Sequence, residues 1–129
     1  MIEGRLVRLR AFEQSDLDAN HAFVNDYATL RDMLAGMPLP ASYEDERRWL
    51  DQQSSYTRGE YQFAVEDGGG DLVGRCGLTR VDWKNRLGEI GMMIGAPYRG
   101  RGYGTEALGL LCDFAFSEMN LHKLKVSVF

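Results

Sequence analysis

The last third of the chain, from Leu87 onward, constrains the fold more than any other segment. Leu87–Ile94 is predicted to form a strand, and Lys123–Phe129 begins another, in which apolar and polar residues alternate. Between them, apolar residues recur at helical spacing from Leu108 to Met119. A strand, a helix and a strand in this order predict two parallel strands joined by a right-handed crossover.

The first half of the chain is predicted to contain one strand and three helices. Arg5–Arg10 has the pattern of a strand, and its three arginines favour a position near a sheet edge. Ser15 is predicted to cap the first helix, and Ser42 with Asp45 forms the start of the third. The predicted helices cover residues 15–25, 27–35 and 42–54.

The middle of the chain is predicted to form strands joined by tight turns. Apolar and polar residues alternate over Tyr61–Val65, and Asp67–Asp71 reads as a glycine-rich hairpin turn. A return strand is predicted over Leu72–Trp83, and Lys84–Arg86 turns into the strand that starts at Leu87. Four strand glycines predict bulges or close approach of the backbone, namely Gly74, Gly77, Gly88 and Gly91.

Composition limits the class of protein. The 129 residues are 44% apolar and 26% charged, as expected for a single globular domain over 1–129. A net charge of −4 argues against nucleic acid as a partner. Without a signal peptide or a membrane-spanning apolar run, the chain is expected to be cytoplasmic and to have no membrane partner. Cys76 and Cys112 lack metal-ligand spacing and are predicted to be reduced thiols, with no metal site.

A glycine loop, defined here as residues 98–105, leads from the strand into the C-terminal helix. Gly100, Gly102 and Gly104 let the backbone turn tightly and bring its N–H groups close to a ligand. The open first turn of a helix adds N–H donors and a positive dipole end, which together bind phosphates. Arg99 and Arg101 add positive charge. The loop is therefore predicted to bind a diphosphate.

The glycine spacing alone leaves the identity of this diphosphate open. Gly102–Ala107 fits the dinucleotide motif formally, but Ala96–Arg99 separates it from the strand, and Leu121–Phe129 contains no acidic residue for the ribose. No Lys-Ser/Thr pair follows the loop, which excludes a nucleoside-triphosphate loop. A nicotinamide-dependent enzyme is the lesser alternative.

The loop and its neighbours resemble a known family. Residues 99–104 resemble the Arg-x-x-Gly-x-Gly signature of the GCN5-related N-acetyltransferase (GNAT) superfamily. Val81–Asn85, Gly88–Gly91 and Thr105–Leu108 look like its Rim-type branch, and Asn120–Leu124 is similar to the spermidine acetyltransferases in that branch. The resemblance runs in order over nearly the whole chain. It implies an α+β fold (α/β mixed sheet), in which helices flank a mixed central sheet and the family's C-terminal strands are missing.

The resemblance also implies an enzyme that transfers the acetyl group of acetyl-coenzyme A (acetyl-CoA) to a primary amine, on a protein N-terminus or a polyamine. Backbone N–H groups of the glycine loop would bind the CoA diphosphate, and the strand end before it would pair with the pantetheine arm and polarise the thioester. Glu89, beside the expected thioester, is the candidate base. The implied cofactor-binding residues are Met92, Met93, Ile94, Arg99, Gly100, Arg101, Gly102, Tyr103, Gly104 and Thr105.

Two features of the sequence bear on partners. Family members normally continue with a tyrosine that donates a proton to the leaving thiolate, and its position lies beyond Phe129. A catalytically silent CoA-binding or interaction module is therefore the second hypothesis, with residues 123–129 expected to pair with a partner or a second copy.

Between Glu13 and Asp51, nine acidic side chains against three arginines give a net charge of −6, which favours a cationic amine as acceptor.

Overall fold

One sheet organises the part of the chain that the structure describes. The structure is a computed structural model, and it describes residues 2–26, 42–53 and 61–128. The helices are α1 (Leu17–Val24), α2 (Tyr43–Gln53) and α3 (Tyr103–Ser117), and short turns of 3₁₀-helix cover Gln14–Asp16 and Ala96–Tyr98. The strands are β1 (Ile2–Glu3), β2 (Val7–Arg10), β3 (Tyr61–Asp67), β4 (Leu72–Asp82), β5 (Leu87–Ile94) and β6 (Lys123–Val128).

The strands lie in chain order across the sheet. Neighbouring strands from β1 to β5 are antiparallel, whereas β6 is parallel to β5. Leu87 pairs with Lys123 at one end of the parallel ladder, and Met92 pairs with Val128 at the other. Helix α3 is the connection between these two strands, as the periodicity predicted. The mixed sheet with flanking helices confirms the predicted fold class.

The two faces of the sheet have different coverings. On one face α3 packs into the main core, where Leu9, Ile90 and Leu111 are fully buried. On the opposite face Phe23 of α1 packs against Met93 of β5 in a smaller apolar cluster. Because side chains alternate along a strand, β5 contributes to both faces.

The N-terminal segment differs from its prediction in two respects. The strand predicted over 5–10 starts only at Val7, because the chain turns before it and adds β1 outside it; the Gly4 N–H donates to the Val7 carbonyl at 2.9 Å. The assignment of Ser15 as a helix cap is wrong. A 3₁₀ turn comes first, in which the Glu13 N–H donates to Asp16 Oδ2 at 2.7 Å. The helix predicted over 27–35 lies outside the described residues.

The predicted turn chemistry is confirmed at two other places. At the start of α2, the Asp45 N–H donates to Ser42 Oγ at 3.0 Å and the Ser42 N–H donates to Asp45 Oδ2 at 3.2 Å. In the hairpin between β3 and β4, Asp67 Oδ1 accepts hydrogen bonds from the N–H groups of Gly69 and Asp71, both at 3.0 Å. Each carboxylate satisfies backbone donors that the turn would otherwise leave unpaired.

Three of the four strand glycines lie where a side chain would collide with its surroundings. A Cβ on Gly74 or Gly77 would lie within 2.4 Å of an oxygen atom, and one on Gly88 would lie 2.9 Å from Leu121 Cδ1. The predicted close approach of the backbone is confirmed at Gly74 and Gly77, which meet the Met93 and Tyr61 carbonyls, whereas the neighbours of Gly88 are leucine side chains. Gly91 is different, because a Cβ built there would have no neighbour within 4 Å in the part of the chain that the structure describes.

The two cysteines are free thiols. Cys76 is buried in the main core, and burial raises the pKa of its thiol to about 12. Cys112 is half-buried on α3, where burial also raises the pKa. Among the helices in the described ranges, none combines the length and apolar character needed to cross a membrane.

Candidate active site

The glycine loop joins β5 to α3 in a conformation that favours glycine. Gly100 and Gly102 have φ angles of 77° and 82°, in the left-handed region that side chains with a Cβ rarely adopt. Gly102 directly precedes α3, and no side chain among the described residues caps the helix there. The first-turn N–H groups, on Tyr103, Gly104 and Thr105, therefore have no partner inside the helix.

A cavity of about 270 Å³ opens at this loop. Its walls are the end of β5, the loop itself and the first turn of α3. Besides Tyr98, it is lined by seven of the predicted cofactor-binding residues, Ile94, Arg99, Gly100, Gly102, Tyr103, Gly104 and Thr105. The structure thus brings most of the predicted set together around one concave surface, with the open helix end on it.

The other three predicted cofactor-binding residues do not line the cavity. Met92 lies behind it, since a Cβ on Gly104 would be 3.6 Å from its Sδ. The Met93 side chain packs on the opposite face of the sheet, as strand alternation requires. Arg101 is exposed, and its guanidinium carbon lies 5.7 Å from the centre of the Tyr98 ring.

Two hydrogen bonds fix the segment that leads from β5 into the glycine loop. Arg99 Nε donates a hydrogen bond to the Ile94 carbonyl at 2.9 Å, so this side chain folds back along the loop. The Gly95 N–H donates to the Val73 carbonyl at 2.8 Å, and a Cβ on Gly95 would lie 2.5 Å from the Phe23 ring. Sequence reasoning missed Gly95, although a glycine directly after a strand is a signal of close approach.

Strand β5 carries a second surface on the face that α1 covers. Gly77 of β4 pairs with Gly91 of β5, and we call the surface over this pair, where neither strand has a side chain, the glycine groove. No described residue comes within 4 Å of a Cβ built on Gly91. Above Gly77 lies the Gln62 side chain, whose Oε1 is 2.4 Å from the position of a Cβ on that glycine. The groove thus has an open floor at Gly91 and an amide group beside it.

Glu89, the predicted base, lies at one end of the glycine groove. It is half-buried and precedes Gly91 by two residues, so both are on the same face of β5. Its cross-strand neighbours are Thr79 on β4 and Lys125 on β6. The structure therefore brings the candidate base beside an open surface.

A polar network closes the other end of the groove, two residues before Gly77. The Arg75 guanidinium carbon lies 4.2 Å from the centre of the Trp49 ring, and Nη1 is 3.7 Å from Glu46 Oε2. Arg75 Nη1 also donates to Asn20 Oδ1 at 3.4 Å, and Asn20 Nδ2 donates to Glu46 Oε2 at 2.7 Å. Burial raises the pKa of Glu46 and lowers that of Arg75. The network connects α1 and α2 to the sheet.

The acidic residues between 13 and 51 differ in exposure; Asp26 is half-buried, and Asp32 lies outside the described residues. Asp16 and Glu46 are buried and paired with arginines, and Arg10 Nη2 lies 2.9 Å from Asp16 Oδ1. The exposed group consists of Glu13, Asp18, Glu44, Asp45 and Asp51. Only the exposed group can contribute strongly to a negative surface, and two of its members are partly neutralised, because Glu44 lies 3.8 Å from Arg47 and Asp45 lies 3.7 Å from Arg48. No cluster of three or more His, Cys, Asp or Glu side chains in the described ranges could hold a metal ion.

Comparison with known proteins identifies the class to which this fold and loop belong. The model of the acetyltransferase (GNAT) domain matches residues 6–129. Spermidine N(1)-acetyltransferase of Vibrio cholerae is 26% identical over 121 residues, which are 93% of this chain and 68% of that protein. Spermidine N(1)-acetyltransferase of Escherichia coli K12 is 29% identical over 128 residues, which are 99% of this chain and 67% of that protein.

Solved structures agree with this result. A crystal structure of spermidine N-acetyltransferase from V. cholerae, in complex with CoA and spermine, superposes with a TM-score of 0.80. At 24% identity, the match covers 93% of this chain and 69% of that one, and it shows the same fold. An acetyltransferase of the GNAT family from Bacillus anthracis gives a TM-score of 0.81 at 24% identity, over 97% of this chain and 71% of that one.

The fold and the matching family model define an N-acetyltransferase that uses acetyl-CoA. The chain belongs to the acetyltransferase (GNAT) family, and it spans about two thirds of the length of the spermidine acetyltransferases to which it is similar. The resemblance predicted from residues 81–124 is confirmed. Because acetyltransferases of this family use acetyl-CoA, the nicotinamide alternative is set aside.

Proposed function

We propose that this domain acetylates a primary amine of an aliphatic, cationic acceptor of the polyamine class. The similar proteins of V. cholerae and E. coli are spermidine acetyltransferases, and one V. cholerae structure contains spermine. The exposed carboxylates of α1 and α2 support the same class, because a negative surface raises the encounter rate of a cationic ligand.

The proposal depends most on the two open surfaces that meet on strand β5. At its end, the cavity of the glycine loop presents the first-turn N–H groups of α3, which have no partner inside the helix. On the face of β5 that α1 covers, the position above Gly91 leaves room for an acceptor beside Glu89. A donor held at the loop and an acceptor in the glycine groove would approach one another along a single strand.

The residues fit the donor as follows. N–H groups of residues 100–105 would bind the CoA diphosphate, since an open helix end and a glycine-rich backbone favour anions. The β5 end at 92–94 would contact the pantetheine arm through its backbone. Acetyl-CoA supplies the activated acetyl group, and a backbone N–H at this strand end would stabilise negative charge on the thioester oxygen.

The acceptor chemistry needs a base. As the amine nitrogen bonds to the acetyl carbon, the C–S bond breaks and the thiolate leaves, while the nitrogen must lose a proton. Glu89 is our candidate to accept that proton, directly or through one water molecule, because it shares the groove with the open position at Gly91. Gln62 would orient the acceptor through its amide.

Calorimetric titration with CoA, combined with an assay of thiol release from acetyl-CoA and spermidine, tests the proposal. We expect the wild-type domain to bind CoA and to acetylate spermidine. Gly102→Ala forces a side chain into a left-handed conformation, at a cost of about 1–2 kcal/mol, and should weaken CoA binding by roughly tenfold. Gly68→Ala is the matched control, because a Cβ there meets nothing within 4 Å and the backbone has no positive φ.

Two results would contradict the proposal. A wild-type domain that binds no CoA at millimolar concentration would exclude the donor site, and equal CoA affinity of the Gly102 and Gly68 variants would exclude this loop. A domain that binds CoA but acetylates only neutral amines would be consistent with the proposed donor site, but it would exclude an acceptor of the polyamine class.

A further inference from the structure

A carboxylate one turn into α3 connects the helix to the turn between β1 and β2. Glu106 Oε1 accepts a hydrogen bond from the Leu6 N–H at 2.7 Å and another from the Val7 N–H at 3.0 Å. These residues are 100 and 99 positions away in sequence. Burial raises the pKa of Glu106, but the bonds from Val7 and Leu6 outweigh it and hold the pKa below its usual value.

The turn is shaped around this carboxylate. A Cβ on Gly4 would lie 2.1 Å from Glu106 Oε1, so a side chain at that position would displace the carboxylate. The same turn also reaches the glycine loop, because a Cβ on Gly102 would lie 3.5 Å from Leu6 Cδ1. The β1–β2 turn therefore contacts α3 on both sides of its open first turn.

The position of Glu106 in the helix gives these contacts a consequence for the loop. Its own N–H donates to the Gly102 carbonyl at 3.2 Å and closes the first turn of α3. The three residues between them carry the N–H groups that the proposed function assigns to the diphosphate. A carboxylate in the first turn can otherwise fold back onto such N–H groups and compete with an anion. Here it is bound to the β1–β2 turn instead.

We propose that Glu106 is a positioning residue for the donor site, one that fixes the open end of α3 against the β1–β2 turn so that its N–H groups stay available to the CoA diphosphate. This inference rests on the proposed function of the glycine loop. It assigns to the N-terminal strands a part in coenzyme binding, although the cavity lining contains no residue before Ile94.

Three substitutions separate hydrogen bonding from charge. Glu106→Gln keeps an acceptor oxygen at the same reach, whereas Glu106→Ala removes it and leaves the Leu6 and Val7 N–H groups unpaired. Glu106→Asp keeps the charge but shortens the side chain by one methylene group. Glu118→Ala is the matched control, because Glu118 is exposed at the other end of the same helix.

The measurements are the Kd for CoA by calorimetry, kcat and KM at saturating amine, and thermal unfolding of each variant. We expect Glu106→Ala and Glu106→Asp to raise the Kd by about tenfold, and Glu106→Gln and Glu118→Ala by less than about threefold. KM for acetyl-CoA should rise with little change in kcat, as for a residue that acts on binding. A purely structural role would lower the unfolding temperature without this selective effect.

Amide hydrogen exchange on the wild-type protein gives a readout that needs no variant. Addition of CoA should slow exchange at Leu6 and Val7 if the β1–β2 turn and the donor site are coupled. Unchanged exchange there, or folded Ala and Asp variants that bind CoA as tightly as wild type, would overturn the inference while leaving the proposed function intact. Failure of the wild type itself to bind CoA would overturn both.

Discussion

Gly91 illustrates how much a single residue can indicate about function. The other strand glycines are explained by neighbouring atoms that leave no room for a side chain, but no described residue occupies the space above Gly91. A glycine in a strand interior weakens the sheet, since it has no side chain to pack and loses more backbone entropy. Its presence beside Glu89 is accounted for if a ligand occupies that space.

We expect substitutions at Gly91 to block the acceptor in proportion to their size. Gly91→Val should lower kcat/KM for spermidine by more than about tenfold, and Gly91→Ala by less, because the larger side chain fills the groove. The Kd for CoA should change by less than about threefold. Gly109→Ala, at an exposed position of α3 where a Cβ meets no described atom within 4 Å, is the control. Equal KM values for spermidine in all variants would show that no acceptor enters the groove.

Glu89 provides the second prediction at the scale of a residue. Glu89→Gln keeps the shape of the side chain but cannot accept a proton, so kcat should fall by about 10²-fold, the usual contribution of a general base. CoA affinity and thermal stability should stay close to wild type. Glu44→Gln, an exposed carboxylate of α2, should leave kcat unchanged. A normal kcat for the Glu89→Gln variant would show that another group acts as the base.

At the scale of elements, periodicity and turn chemistry predicted most of the sheet. The β3–β4 hairpin, the start of α2 and the parallel β5–α3–β6 unit were all visible, because each depends on residues close in sequence. Strand β1 was missed, since two residues are too few to show alternation. The partners of Glu46 and Glu106 were also missed, because Arg75 and the Leu6 and Val7 N–H groups are distant from them in sequence. The Arg10–Asp16 pair was missed although the two residues are close in the chain.

The network that joins β2, β3 and the first 3₁₀ turn leads to a prediction for acid stability. Arg10 donates to both oxygens of Asp16 at 2.9 Å, and Nε donates to Glu66 at 3.1 Å; Arg8 also pairs with Glu66. Burial raises the pKa of Asp16, but the bonds from Arg10 and the Glu13 N–H hold it below its ordinary 3.8. Hydrogen bonding from Arg8 is the main cause of the lowered pKa of Glu66.

A carboxylate with a lowered pKa binds fewer protons in the folded than in the unfolded protein. Its stabilisation is therefore complete above the unfolded pKa and is lost as pH falls through the folded pKa. We expect Asp16→Asn to lower the free energy of unfolding at pH 7 by about 1–3 kcal/mol, and to make its decline below about pH 5 shallower. Urea unfolding from pH 7 to pH 3 measures both, with exposed Asp18→Asn as control. Parallel pH curves for wild type and Asp16→Asn would contradict the assignment.

At the scale of the whole molecule, the similar spermidine acetyltransferases are longer than this chain, and one of them has been solved as an assembly. Spermidine N-acetyltransferase from V. cholerae has been solved in a dodecameric form, which matches 93% of this chain at 28% identity with a TM-score of 0.72. For this chain, the single domain over 1–129 and pairing through residues 123–129 stay predictions. Mass measurement in solution decides the second, since a monomer at all concentrations would contradict it.

The charge distribution gives a last prediction, for the dependence of turnover on salt. Exposed carboxylates on α1 and α2 should attract a polyamine over distances of about 10 Å at 0.1 M salt, and screening shortens that range as salt rises. At saturating acetyl-CoA, kcat/KM for spermidine should therefore fall by roughly tenfold between 0.02 and 0.3 M NaCl. A monoamine of lower charge should show a smaller decrease. Replacing Asp18 and Asp51 by Asn should flatten the curve for spermidine alone, whereas equal salt dependence for both amines would show that the acidic surface does not select the acceptor.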